Sequence, residues 1–343
     1  MQDIHGGDIY RNQVRMDFSV NTNPLGIPEE VKASLHQAVE HCMQYPDIEA
    51  EQLKEALSRE LSVPKEYLLP GNGASEIFLG IMHALRPKKV ILPIPSFYGY
   101  EYAAKAVESE IICVPLKKEA DFLPDEELIT ALDADAQLLF LANPNNPTGK
   151  LMSREYLEKV LKVCKERDIC VVLDECFIEF CENGISMVSE LSTYHNLLIV
   201  RAFTKIYAIP GVRLGYLLCS DEALLNRIRG QLPEWNLSTF AQAAGVACLK
   251  QNGYIRRTAE YVAEERKCLT EGLESLGVQV VHSEVNFILC YSEKPLYEAL
   301  LKKGILIRNC ENFNGLSEGY YRIAVKCRKE NEILQKAIGE CIG

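Results

Sequence analysis

Lys205 carries an amine that can react covalently with a carbonyl compound, and three other side chains in comparable positions could assist it. Each follows an apolar run: Asp174 ends "CVVLD", Asn146 lies in "NPNNPTG" after "LLFLA", and Phe97 follows "KVILP". Each residue alone has an ordinary explanation, such as a turn, a backbone cap, a solvated surface or the core. Together, an amine, a carboxylate, an amide and an aromatic ring could hold and activate a planar ligand.

The elements that would position these side chains are six apolar runs separated by helical patterns. The runs lie at residues 89–93, 111–115, 138–142, 170–174, 197–201 and 215–219. The segment between two of them, residues 153–168, places apolar side chains at i, i+3, i+4 and i+7, which predicts a helix. This alternation predicts an α/β fold with a mainly parallel sheet covered on both faces. Because sites in such sheets lie beyond the carboxyl ends of the strands, the four side chains should converge at one edge.

A glycine-containing turn before another helical pattern predicts an anion site. In "LLPGNGASEIFLGIMHAL" (68–85), Gly73 leads into an apolar-periodic helix with Ala74 and Ser75 in its first turn. Backbone amides and the helix dipole favour anions there. The P-loop ending is absent, and Glu76 replaces the third glycine of the dinucleotide fingerprint. A phosphate site, a lysine, a carboxylate and an aromatic ring without nucleotide machinery fit pyridoxal 5′-phosphate.

Composition and charge exclude several other classes of function. The net charge of −11 argues against nucleic-acid or anionic-membrane partners, which need a basic surface. The first twelve residues have no apolar signal-peptide core, and no apolar run approaches membrane-spanning length. The thirteen cysteines form no Cys-x-x-Cys pair, and several lie in apolar runs, so we expect reduced core thiols rather than disulfides or a metal site. These features predict a cytoplasmic protein.

With these motifs the chain resembles fold-type I pyridoxal-phosphate-dependent enzymes of the aminotransferase class, over essentially all 343 residues. The resemblance implies a large domain with a mainly parallel seven-stranded sheet and a smaller α+β domain. It also implies that Lys205 forms the Schiff base and that Asp174 pairs with the pyridinium nitrogen. Asn146 would hydrogen-bond the ring hydroxyl, and Phe97 would stack on the ring.

The same resemblance assigns the cofactor phosphate. Its ligands would be Gly73, Ala74, Ser75, Thr204 and Arg213. Tyr45 of "QYPD" would reach the phosphate of the partner subunit, which implies a homodimer with shared active sites.

The predicted domain boundaries follow from where the pattern of strands and helices changes. Residues 1–38 would form an amino-terminal arm and part of the small domain, 39–235 the large cofactor-binding domain, and 236–343 the carboxyl-terminal small domain. Outside the central strands, the pattern predicts helices at 28–44 and about 240–276, and strands near 285–290 and 305–308.

Two groups within the family share motifs with this chain. Histidinol-phosphate aminotransferases share "NxNPLG", "YPD" and "NPNNPTG". Threonine-phosphate decarboxylases of cobalamin biosynthesis share these and also resemble "HGGD" (5–8), "DFSVNTNPLG" (17–26), "EWNLSTFAQAAG" (234–245) and "ILIRNCENFNGL" (305–316). At the position of Phe177 the aminotransferases usually have a tyrosine, whose hydroxyl bonds the hydroxyl of the cofactor ring. Phe177 would contact the cofactor in this chain, but it has no hydroxyl group.

The resemblance therefore favours decarboxylation of L-threonine O-3-phosphate to (R)-1-amino-2-propanol O-2-phosphate, with transamination of the histidinol-phosphate type as the alternative. This small substrate carries two anionic groups, so it needs cations at both ends. Arg308 and Arg322 are the candidates, and His5, Asn23 and Asn146 should lie nearby by family analogy. Which arginine binds the carboxylate stays open. The preference for phosphothreonine over phosphoserine is also open, because one methyl group contributes only ~1–3 kcal/mol.

Overall fold

The computed structural model describes residues 5–132 and 135–343. The strands of these residues are Met16–Asp17 (β1), Leu68–Gly71 (β2), Lys89–Ile94 (β3), Glu110–Pro115 (β4), Leu138–Ala142 (β5), Cys170–Asp174 (β6), Leu197–Ala202 (β7), Gly215–Leu218 (β8), Gln279–Val281 (β9), Phe287–Tyr291 (β10), Ile305–Leu306 (β11), Arg308–Asn309 (β12) and Tyr320–Ala324 (β13). The α-helices are Glu29–Ala38 (α1), Glu51–Leu61 (α2), Ala74–Leu85 (α3), Tyr98–Lys105 (α4), Glu126–Ala131 (α5), Arg154–Glu166 (α6), Phe203–Ile206 (α7), Glu222–Arg229 (α8), Thr239–Cys248 (α9), Tyr254–Ser275 (α10), Leu296–Lys302 (α11) and Arg328–Ile342 (α12).

The largest sheet has seven strands in the order β2-β8-β7-β6-β5-β3-β4. The pairs from β7 to β4 are all parallel, whereas β8 is antiparallel to both of its neighbours. Strands β5 and β7 are buried along their whole length, as their continuous apolar sequences require. Separate apolar clusters cover the two faces, one including Phe78 of α3 and the other Val160 of α6. The predicted mainly parallel seven-stranded sheet is confirmed.

Two smaller sheets join the ends of the chain. Strands β12, β13, β10 and β9 form an antiparallel sheet, and β1 pairs in parallel with β11. Phe18, which follows β1, lies in one apolar cluster with Ile288, Ile323 and Leu334. The amino-terminal segment therefore shares a core with the carboxyl-terminal residues. The boundaries at 38/39 and 235/236 stay predictions.

Two predicted helices differ from those observed. The helix expected at about 240–276 is two helices, α9 and α10, because Gly253 adopts a left-handed conformation (φ +69°) immediately before α10. The helix expected at 28–44 ends as α1 at Ala38 and continues only as a short 3₁₀ turn to His41. Strands β1, β2 and β9 had no predicted counterpart, since β1 and β9 are very short and β2 contains a proline and a glycine, which are weak strand formers.

Candidate active site

Lys205 lies in the four-residue helix α7, which follows β7 directly. Asn23 braces this turn, because its backbone N–H donates to the Lys205 carbonyl (3.0 Å) and its Nδ2 donates to the Ile206 carbonyl (2.7 Å) and to Thr258 Oγ1 (2.8 Å). Asn23 Oδ1 accepts a hydrogen bond from the Leu25 N–H (2.9 Å). These bonds make Asn23 a positioning residue for the Lys205 turn, and its predicted contact with substrate stays a prediction.

The environment of Lys205 favours its uncharged amine. Removal from water lowers the pKa of Lys205 to about 8, and the positive charges of Arg322 and Arg213 act in the same direction. An amine with this pKa provides far more of the nucleophilic, unprotonated form at neutral pH than a surface lysine does. The position therefore suits a lysine that must attack an aldehyde.

Asp174 ends β6 as a buried carboxylate held by two hydrogen bonds. The Tyr100 hydroxyl donates to Asp174 Oδ2 (2.6 Å), and the Cys176 backbone N–H donates to Oδ1 (2.9 Å). Burial raises the pKa of Asp174, whereas these hydrogen bonds oppose the rise. A protonated ring nitrogen placed against this carboxylate would supply the positive charge that the buried group otherwise lacks.

Tyr100 is a functional residue that the sequence reasoning missed. Its ring packs edge-on against Phe97 (centroids 5.6 Å apart, 82° between planes) and stacks on Phe140 (5.0 Å, 12°). Tyr100 therefore contacts both Phe97 and Asp174. Gly99 is required beside it, because a Cβ there would lie 2.3 Å from the Phe97 ring. The signal available in the sequence was the three-residue spacing of Phe97 and Tyr100 at the start of a helix.

The turn before α3 has the form of an anion cradle. Gly73 has a φ of +80°, and a Cβ at Gly73 would lie 2.4 Å from Arg213 Nη2, so only glycine leaves space for the guanidinium there. Arg213 Nη1 donates to the Pro210 carbonyl (3.0 Å). A cation held against the positive end of a helix is favourable when an anion lies between them. Ala74 and Ser75 form the first residues of α3, next to this position.

Arg322 and Asn146 join the small sheet to the predicted site. Arg322 is 7% exposed; its Nη1 donates to Asn146 Oδ1 and its Nη2 to the Ser19 carbonyl (3.0 Å). Within the described residues, the buried Nε has no hydrogen-bond partner. Burial lowers the pKa of Arg322 to about 10, and the charge of Arg308 contributes to the fall. An anionic substrate would accept a hydrogen bond from this unsatisfied donor and would balance the charge of the buried guanidinium.

Arg308 lies beside Arg322. The two residues are directly opposite partners of β12 and β13, and Arg308 is 5% exposed. Its Nη2 donates to Asn312 Oδ1 (2.7 Å), and its guanidinium lies over the Phe313 ring (5.2 Å). A groove of about 560 Å³ borders Arg308 and is also lined by His5 and Tyr98.

The amino-terminal arm brings His5 to this groove. The Gly7 N–H donates to Ser19 Oγ (2.7 Å), and the Ser19 carbonyl is the acceptor that Arg322 uses. The exposed His5 ring lies 6.0 Å from the Phe97 and Tyr98 rings. Partial burial lowers the pKa of His5, and the charges of Arg308, Arg322 and Lys205 add to this effect. The structure therefore brings His5 to the same positive region as the two arginines.

The predicted roles of all these site residues stay predictions, and the same holds for Thr204, Phe177 and Tyr45. Thr204 precedes Lys205 and is buried. Phe177 is also buried and packs edge-on against Phe287 (centroids 5.1 Å apart, 81° between planes). The Arg322 guanidinium lies over the same Phe287 ring, 5.4 Å from its centroid. Tyr45 is 82% exposed and packs against Trp235 (4.9 Å), outside the site of its own chain.

In residues 5–132 and 135–343, no group of three or more His, Cys, Asp or Glu side chains could hold a metal ion. None of the helices in that part of the chain is both long and apolar enough to cross a membrane.

The amine, the carboxylate, the aromatic ring and the anion cradle define a pyridoxal-phosphate site on a fold-type I scaffold. In agreement, residues 14–339 match the aminotransferase class I and II family, and the chain belongs to that family. The cofactor of this family is pyridoxal 5′-phosphate, and the residues present fit it because the Arg213 guanidinium lies against the helix start at Gly73 and its charge also acts on the Lys205 amine.

Three relatives show where the chain stands within the family. It is 34% identical over 327 residues to threonine-phosphate decarboxylase of Salmonella typhimurium strain LT2, covering 94% of this chain and 90% of that protein. The histidinol-phosphate aminotransferase structure from Clostridium acetobutylicum is 34% identical, with a TM-score of 0.89, over 95% of this chain and 99% of that chain. The L-threonine-O-3-phosphate decarboxylase structure from Porphyromonas gingivalis is 26% identical, with a TM-score of 0.81, over 94% and 98% of the two chains.

Proposed function

We propose that this chain is a pyridoxal-phosphate-dependent carboxy-lyase that converts L-threonine O-3-phosphate to (R)-1-amino-2-propanol O-2-phosphate and carbon dioxide in cobalamin biosynthesis. The observation that carries the proposal is the buried pair Arg308 and Arg322 beside the Lys205 turn. Threonine phosphate has a carboxylate and a phosphate for two such cations. Histidinol phosphate has a phosphate and no carboxylate, so it offers these cations one anionic group rather than two.

Each residue of the site has a separate part in this reaction. Bound pyridoxal phosphate supplies a conjugated ring that accepts the electron pair of the Cα–carboxylate bond as carbon dioxide leaves. Asp174 holds the proton at the ring nitrogen. Lys205 Nζ would hold the cofactor aldehyde, and as a free amine it could deliver a proton to Cα. The overall conversion consumes one proton.

The two arginines orient the substrate. One guanidinium would bind the carboxylate and the other the phosphate, so that the bond from Cα to the carboxylate, rather than the bond to the proton, would be aligned for cleavage. Guanidinium groups suit both anions because they can form paired, parallel hydrogen bonds. The low exposure of both side chains strengthens these bonds by excluding water.

The active unit in this proposal is a homodimer in the cytoplasm. Tyr45 would complete the partner's phosphate site, which explains why an aromatic pair of Tyr45 and Trp235, 82% and 45% exposed, lies on the surface next to the exposed Met43. The thirteen free cysteines suit a reducing compartment.

The second candidate is histidinol-phosphate transamination, which the likeness to the Clostridium acetobutylicum structure supports. Phe177 stands against it, because this position lacks the hydroxyl that the aminotransferase pattern provides. Purified protein incubated with threonine phosphate tests the proposal by assay of carbon dioxide and of the phosphorylated amino alcohol. The proposal fails if neither product forms while histidinol phosphate is consumed with 2-oxoglutarate.

A further inference from the structure

A buried ion pair lies next to the residues that are proposed to bind the cofactor. Glu175 is 0% exposed and Arg201 is 6% exposed. Arg201 donates from Nε (3.0 Å) and from Nη2 (2.8 Å) to Glu175 Oε2. Burial alone would lower the pKa of Arg201, but Glu175, Tyr216 and Glu179 together raise that pKa, so the guanidinium stays protonated.

Both carboxylate oxygens of Glu175 accept hydrogen bonds in this arrangement. Besides the two bonds from Arg201, Oε2 accepts from Ser186 Oγ (2.7 Å) and Oε1 accepts from the Met187 N–H (2.8 Å). Four donors hold one carboxylate, which fixes its position more tightly than packing alone could. The proposed chemistry uses neither member of the pair.

The pair stands where the backbone pairing of β6 and β7 stops. Asp174 and Val200 are the last partners of this parallel ladder, followed by one bond from the Glu175 N–H to the Val200 carbonyl (2.8 Å). Beyond this point β6 leads into the 3₁₀ turn at Ile178–Phe180, whereas β7 continues to Ala202 and α7. The Glu175–Arg201 ion pair therefore links β6 and β7 beyond their last backbone hydrogen bond.

The residues next to the pair must keep a fixed distance from each other in the proposed reaction. Glu175 follows Asp174 in the sequence, and Arg201 lies on the segment that leads into α7 and Lys205. In the proposed reaction, Asp174 binds one end of the cofactor ring and Lys205 Nζ attaches to its aldehyde. A shift between the two strand ends would therefore tilt the ring relative to Nζ and to the scissile bond.

We propose that Glu175 and Arg201 are a positioning pair that fixes the Asp174 carboxylate relative to the Lys205 amine. This inference rests on the proposed function for its cofactor and its reaction. Misplacement of reacting groups by about 1 Å costs on the order of 10²-fold in rate. The pair therefore acts on kcat through alignment, and its effect on stability is separate.

The test is a double variant, Glu175→Gln with Arg201→Met, because removing both charges leaves neither member of the pair buried without its partner. Glutamine retains an acceptor for Met187, and methionine fills much of the arginine volume. The matched control is Glu265→Gln with Arg328→Met, since Glu265 is 3% exposed and accepts hydrogen bonds from Arg328 Nε (3.0 and 3.1 Å) between α10 and α12. Both variants are compared with wild type as holoenzymes.

We expect the Glu175/Arg201 variant to lose about 10²-fold in kcat with little change in KM, and the control variant to lose almost nothing. We also expect the pH at which the visible band of the bound cofactor titrates to move in the first variant only. A folded Glu175/Arg201 variant with the kcat and band titration of the control would overturn the proposal.

If this variant shows no cooperative unfolding transition, Arg201→Lys decides, because it keeps the charge and loses the paired geometry. Wild-type kcat and band titration in Arg201→Lys would also overturn the proposal, whereas loss of kcat with a moved titration supports it. Failure of wild type to release carbon dioxide would instead contradict the proposed function, and the band titration would still decide on the pair.

Discussion

Arg308 and Arg322 face one another directly across β12 and β13, and both side chains are almost completely buried. Like charges in direct cross-strand positions destabilise a sheet, and burial increases the cost. Arg322 donates only to neutral acceptors among the described residues, an amide oxygen and a backbone carbonyl. A substrate with two anionic groups, such as threonine phosphate, would offset this repulsion.

Replacing Arg322 should remove much of the activity. We expect Arg322→Gln to lower kcat/KM for threonine phosphate by ~10²–10⁴-fold, because removing one partner of a buried ion pair costs on the order of 3–5 kcal/mol. The visible band of the bound cofactor should remain. Arg227→Gln, an exposed arginine on α8, serves as the control. Equal kcat/KM values in the two variants would show that Arg322 does not bind substrate.

The lowered pKa of Lys205 predicts a pH-dependent stability effect in cofactor-free protein. A fall from 10.5 to about 8 means that burying the charged amine costs roughly 3 kcal/mol below pH 8. Between about pH 8 and 10.5 the folded state has lost this proton and the unfolded state still binds it, so wild-type stability rises with pH. Lys205→Met should therefore be more stable than wild type at pH 7, by a margin that shrinks towards pH 10.5. Urea unfolding of both cofactor-free proteins across this range measures the margin, and a margin that does not change with pH would contradict the expected burial of the charge.

Tyr100 should control the ionisation of Asp174. Its hydroxyl holds the pKa of Asp174 down against the effect of burial, so Tyr100→Phe should raise that pKa further. The acid limb of the kcat–pH profile should then move to higher pH, and kcat should fall at least ~10-fold, since a hydrogen bond to a charged group contributes about 1.5–3 kcal/mol. Tyr102→Phe on the same helix is the control, because Tyr102 is 56% exposed. Identical profiles for the two variants would mean that the bond has no part in the reaction.

A shared site predicts recovery of activity on mixing. Tyr45→Phe should weaken cofactor retention without unfolding the chain, and Lys205→Ala should be inactive. Heterodimers of the two would have one site that lacks both groups and one intact site, so activity should return after subunit exchange. Tyr10→Phe, at a tyrosine that is 93% exposed, should behave as wild type throughout. Heterodimers that form without regaining activity would count against a shared site.

The sequence predicted the parts of this structure that depend on long, uniform patterns. The apolar runs at 138–142 and 170–174 are β5 and β6 with identical bounds, because fully buried parallel strands need uninterrupted apolar sequence. The strand–turn order then placed Asp174 and Lys205 at one edge of the sheet, since parallel strands end on the same side.

The elements that the sequence did not predict depend on tertiary contacts. The break between α9 and α10 depends on one glycine in a left-handed conformation inside a continuous helical pattern. Tyr100 and the Glu175–Arg201 pair acquire their partners only when separate strands and helices pack, at separations of 74 and 26 residues. The facing of Arg308 and Arg322 needed the register of two short strands, which alternation over two residues cannot specify.

The dependence of turnover on an amino acceptor tests the central claim most directly. A decarboxylase regains its starting form after every turnover, whereas an aminotransferase stops after one half-reaction unless a 2-oxo acid is present. We predict that wild-type holoenzyme releases many molecules of carbon dioxide per active site from threonine phosphate with no oxo acid, and that adding 2-oxoglutarate leaves the rate unchanged. No release of carbon dioxide, together with steady transamination of histidinol phosphate that requires 2-oxoglutarate, would contradict the account.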